Sequence, residues 1–136
     1  MKKSDAMTVA EILAGIKINR IEDKEAKAVL LKEYLAIRKE AKEAFREKEE
    51  IIGKFQEDWA DELKAVRSFR EKGRPVIGHL DFLDAERDAN KAISDTLGAE
   101  VELDIVPVSL EAVAAVSDDI TLEQIAYLVE QGILEE

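Results

Sequence analysis

Four carboxylates, Glu57, Asp58, Asp61 and Glu62, crowd round Trp59, the only tryptophan of the chain. Glu57 with Asp61, and Asp58 with Glu62, stand four residues apart, one helical turn, so each pair shares a face. Downstream, Asp81, Asp84 and Asp88 follow at steps of three and four. If two helices brought these groups together, Asp58, Asp61, Glu62, Asp84 and Asp88 would offer the all-oxygen donor set that Mg²⁺ or Mn²⁺ prefers. All-helical nucleotide pyrophosphatases use such clusters. Their E-E-x-x-E and E-x-x-D pattern is absent here, so a metal-dependent nucleotide hydrolase stands only as an alternative. With 31 acids in 136 residues, pairs at helical spacing are expected on any solvated helix face.

Other chemistry finds less support. His79 is the only histidine and there is no cysteine. That removes thiolate zinc sites, cysteine nucleophiles and disulfides, and leaves His79 as a turn or cap residue. No G-x-S-x-G elbow, G-x-G-x-x-G loop or Walker A loop occurs. No catalytic residue and no cofactor is expected, and the chain is not expected to be an enzyme.

The elements that carry these residues are helical. Hydrophobic residues make up 46% of the chain, charged residues 38% and aromatics 5%, a balance suited to long helices with thin cores. Thr8 and Glu11 have the spacing of a capping box, with Met7 and Ile12 as its staple, so a first helix is predicted from Val9, and Met7 is a candidate alternative start. A second helix is predicted from Asp23 to Gly73-Arg74-Pro75, where a glycine and a proline stop it. Lys64, Arg67, Arg70, Lys72 and Arg74 complement its C-terminal dipole and form a local basic patch.

Leu30, Tyr34, Ile37, Ala41, Ala44, Lys48, Ile51 and Phe55 repeat at steps of four and three, a heptad seam. The steps of four at Trp59 and Leu63 make a stutter, which places Trp59 on the buried stripe with its carboxylates flanking it or facing water. Gly53 is the expected weak point. A third helix is predicted from Leu80 to Gly98, with Asp81 as cap, packed antiparallel on the second as an αα-hairpin.

After Gly98, acid and aliphatic alternate through Val101, Leu103 and Ile105, a strand pattern with three expected fates: pairing with a second copy, lying as a strap over helices, or continuing the helix. Ser109 can cap a short helix. Thr121 and Gln124 form a second capping box, and Gly132 suits a Schellman end.

The expected class is therefore mainly α: a coiled-coil-like helical hairpin over 22–98, a capped N-terminal helix and connector over 1–21, and an acidic strand-helix region over 99–136. Lys91 is the last basic residue. Residues 92–136 hold eleven acids and no base, which disfavours nucleic acid as a partner and favours a basic protein surface. No apolar run is long enough for a membrane span, and the start lacks a signal-peptide core, so a cytoplasmic location is expected. In general style, though in no motif, the chain resembles small helical accessory proteins of phages and mobile elements, including tail-assembly chaperones. The function expected is a non-enzymatic interaction or assembly protein, self-associating (a dimer first) through Leu30, Tyr34 and Ile37 or by strand pairing at Val101, Leu103 and Ile105. An acidic regulator that mimics nucleic-acid charge is the second alternative.

Overall fold

Ala6, Val9 and Leu13, with Ile12 and Ile16 beside them, recur at three and four residues, and all are buried. They are the inner face of α1 (Lys3–Ala14) in a computed structural model that describes residues 1–136. The helix begins before the predicted Thr8 cap. Thr8 lies inside it and donates from Oγ1 to the Ser4 carbonyl at 3.2 Å. The first turn is held instead by Asp5, whose Oδ2 accepts from the Lys2 N–H. Residues 99–101 also pin this end, through Lys3 N–H to the Ala99 carbonyl and Val101 N–H to the Met1 carbonyl. The local Asp5 bond and these long-range contacts mark the start, not the T-x-x-E signal.

The chain is mainly α and divides into two compact units, Met1–Ala44 with Ala99–Glu136, and Phe45–Gly98. α2 (Lys24–Asp58) contributes to both. In the first unit a single 3-10 turn (Ile18–Arg20) follows α1. Asp23 then caps α2, its Oδ1 accepting from the Glu25 and Ala26 N–H groups at 3.0 and 3.1 Å. Leu30 and Ile37 of α2 join α1 in a core completed by Val108, Val113, Leu128, Ile133 and Leu134. Each large side chain so buried contributes about 1.5–3 kcal/mol.

Residues 101–107 form no regular element. The alternation is real, with Val101, Leu103 and Ile105 half-buried and Glu102 and Asp104 exposed. Leu103 and Ile105 pack against the unit's own core, so the segment is a strap, the second of the three expected fates. Just before it, Lys2 and Glu100 form an isolated antiparallel bridge. The sheet lies just beyond it: β1 (Val108–Ser109) pairs in parallel with β2 (Leu134–Glu135).

Between them run α5 (Leu110–Ala114) and α6 (Leu122–Glu130). Ser109 occupies the cap position of α5 but makes no side-chain capping bond. The box at α6 forms in both directions, Thr121 N–H to Gln124 Oε1 at 2.9 Å and Gln124 N–H to Thr121 Oγ1 at 3.2 Å. α6 ends in a Schellman motif: the Gly132 N–H reaches the Val129 carbonyl and the Ile133 N–H the Leu128 carbonyl. Gly132 holds φ at +76°, a left-handed conformation that favours glycine.

In the second unit, α2 passes unbroken through Gly53 and is interrupted at Trp59 (φ −123°, ψ 29°), after which α3 (Ala60–Glu71) begins. The break falls on the stutter, not on the glycine. The hydrogen-bond ladder crosses it, from Trp59 N–H to Phe55 and from Leu63 N–H to Trp59. α3 stops at Gly73 in a second Schellman pattern, with Gly73 N–H to Arg70 and Arg74 N–H to Phe69. α4 (Leu80–Leu97) begins at a His79 cap that makes no side-chain bond, and Asp81 lies in its first turn, not at its cap. α3 and α4 meet through a two-bond Arg70–Glu86 pair at 2.8 and 3.0 Å. Phe82 is buried against Phe55 at 5.4 Å and against Trp59, edge to face, at 6.1 Å.

Candidate functional site

The carboxylates around Trp59 do not converge. No three side chains among His, Asp and Glu lie close enough to share a metal ion. Asp58, Asp61, Asp84 and Asp88 are exposed and Glu62 is half-buried. Asp84 pairs loosely with Arg87 at 3.7 Å, and Glu86, held below the ordinary carboxylate range by its hydrogen bonds to Arg70, belongs to the helix pair. His79 stacks its ring edgewise near Phe69 at 6.1 Å. Trp59 is half-buried: it meets Phe82, and it also borders an open hollow of about 510 Å³ shared with Glu62, His79, Leu80 and Asp81. The buried stripe is thus incomplete at its stutter.

Leu30 and Ile37, named above for self-association, are fully enclosed in the first unit, and Tyr34 is half-buried against the same core. Every member of the heptad from Leu30 to Phe55 is buried or half-buried. Val101, Leu103 and Ile105 lie on the strap with their inner edges covered.

One charge enters the core face of α2. Glu33 sits between Leu30 and Ile37 and is only 6% exposed. Its Oε1 accepts the Val106 N–H at 2.6 Å, tying strap to helix, and its Oε2 has no partner. Burial raises its pKa above the ordinary 4.5, and the hydrogen bond from Val106 lowers it by less. Elsewhere the Tyr127 hydroxyl donates to Asp5 at 2.8 Å, joining α6 to α1, and burial with that bond pushes its pKa to about 12.

The feature that sequence reasoning missed lies on the other side of α2. At about 100° per residue, Lys24, Ala28, Leu31, Lys32, Leu35, Arg38, Lys39 and Lys42 fall in one outward sector of about 140° with Lys27, and all but Lys27 are exposed. Lys27 is tied down by its bond to the Asn19 carbonyl. Between residues 24 and 43 no acid occurs in that sector; farther along α2, Glu49 and Glu57 do fall in it. Glu25, Glu33, Glu40 and Glu43 all fall on the remaining flank. Leu31 and Leu35 stand in the middle, 39% and 55% exposed. No ion pair engages Lys32, Arg38, Lys39 or Lys42. The signal was present in the sequence, but only a charge wheel shows it; the apolar heptad points to the opposite face. Set against protein-family models, curated proteins and solved structures, the chain matches none of them.

Proposed function

We propose that this chain is a non-enzymatic interaction protein, of the adaptor or assembly kind, that docks through the outward face of α2. The carrying observation is the sorting of charge on the first part of that helix, residues 24–43: a leucine pair in water, ringed by bases, in a chain of net charge −11. Solvation alone requires no such sorting, since mixed charges serve equally well. A helix face of this kind suits a groove or ridge on a partner, with Leu31 and Leu35 as anchors. Their burial returns about 25 cal/mol per Å². The bases set orientation and on-rate more than affinity, so the partner surface is acidic with an apolar strip.

The reading is tested on immobilised polyglutamate eluted with a salt gradient. The wild-type chain is expected to be retained despite its net negative charge. Lys32→Glu with Lys39→Glu is expected to abolish retention, and Leu35→Ser to leave it nearly unchanged, because the probe carries charge without an apolar strip. A wild-type chain in the flow-through, or a double variant retained like wild type, refutes docking through this face.

A further inference from the structure

Resting on that docking reading, we infer that the partner of the α2 face is a second copy of this chain, which presents the outward face of its α6. Leu122, Glu123, Ala126 and Glu130 of α6 all lie on its exposed side, within about 100° of one another. Leu122 is 84% exposed. Asp118, also exposed, precedes the helix, while the neighbouring Asp119 pairs loosely with Lys17 of the same chain at 4.0 Å. No base follows Lys91, so the segment that carries this face supplies no cation of its own.

The two faces complement one another in kind. One is a leucine ridge set in lysines and arginine, the other a leucine set in carboxylates. α6 is about 13 Å long, and the basic stretch of α2 from residue 24 to 42 about 28 Å, so the longer face accommodates the shorter. They cannot satisfy each other within one chain. Leu30 and Ile37 on the inner side of α2 and Leu128 on the inner side of α6 belong to one core cluster, so both outer faces point away from it. The contact is consequently between copies: α2 of one copy meets α6 of another. Made both ways by one pair it closes as a two-fold dimer; made one way it closes into a ring or runs on as a filament.

Sedimentation velocity tests this on the full chain. At about 0.1 M salt, where charges are screened beyond about 10 Å, the weight-average mass is expected to climb with concentration to at least twice the 15.2 kDa of the chain. At about 1 M, with screening at about 3 Å, it is expected to fall back. Two surface variants sharpen the test. The combination Lys32→Glu, Arg38→Glu, Lys39→Glu and the combination Glu123→Lys, Glu130→Lys are each expected to stay monomeric alone and to associate again when mixed.

A wild-type chain that stays monomeric at every concentration overturns the inference, as does association that survives in both variants or a mixture that stays monomeric. If the monomeric wild type still binds polyglutamate through α2, docking stands and only the second copy falls. If it instead floats with phosphatidylserine vesicles in a manner that the α2 variant loses, the face serves a membrane and the inference falls.

Discussion

At Glu33 one residue sets a pH dependence whose sign can be worked out. Its carboxyl is buried with one oxygen unpartnered, and its pKa lies above the ordinary 4.5. The folded chain therefore holds this proton more tightly than the unfolded chain, and stability falls as pH rises from about 4.5 through the raised value. The contribution is complete below that window and gone above it. Glu33→Gln keeps an oxygen for the Val106 N–H and cannot ionise. It is expected to flatten that stretch of the stability profile and, at pH ~7, to equal or exceed wild type by about 1 kcal/mol, read as urea midpoints across pH. An unchanged slope would place the titration elsewhere. The burial of Glu33 was legible, since it lies three residues after Leu30 and four before Ile37 on the core face. Its partner was not: Val106 is 73 positions away, and no local pattern links a helix carboxylate to a distant strap.

Among the elements, signals that close within a few residues were readable and those needing a distant partner were not. The Thr121–Gln124 box and the glycine stops at Gly73 and Gly132 all form, because each is completed by its own turn. The Thr8–Glu11 box does not form because the helix starts several residues earlier, where Asp5 bonds the Lys2 N–H and residues 99–101 bond the N-terminal backbone. The alternation of Val101, Leu103 and Ile105 gave the correct inner edge but left three fates open, of which the strap is the one seen; whether an extended segment joins a sheet depends on a neighbour the sequence does not identify. The outward face of α2 escaped for a different reason, since a search for apolar periodicity finds the side that packs. Two glycines test this local logic in opposite directions. A Cβ at Gly53 meets nothing within 4 Å and the residue lies within α2, so Gly53→Ala is expected to stabilise by about 0.5–1 kcal/mol. Gly132 holds φ at +76°, so Gly132→Ala is expected to destabilise by about 1–2 kcal/mol. Denaturant midpoints of both variants measure this, and a Gly132 variant as stable as wild type would show that the left-handed turn relaxes at no cost.

Over the whole molecule, buried apolar mass is divided unequally between the two units. The first holds fifteen buried residues in one cluster. In the second, beyond the boundary at Ala44, only Val66 and Phe82 are buried, supported by half-buried Phe55, Trp59 and Phe69. Local stability follows such burial, so the second unit is expected to open at lower denaturant. Trp59 makes this measurable. It is the only tryptophan and it packs on Phe82, so its fluorescence reports on the second unit alone, whereas far-ultraviolet circular dichroism sums helices of both. The two probes are therefore expected to give non-coincident unfolding curves, fluorescence first, in departure from two-state behaviour. Phe82→Ala, expected to cost about 3–5 kcal/mol for a buried aromatic, should widen the gap. It should move the fluorescence transition to lower denaturant while leaving amide protection in α1 and in residues 30–37 intact. Coincident curves in the wild type, or loss of protection in α1 when Phe82 is truncated, would mean that α2, which contributes to both units, couples them into a single cooperative fold.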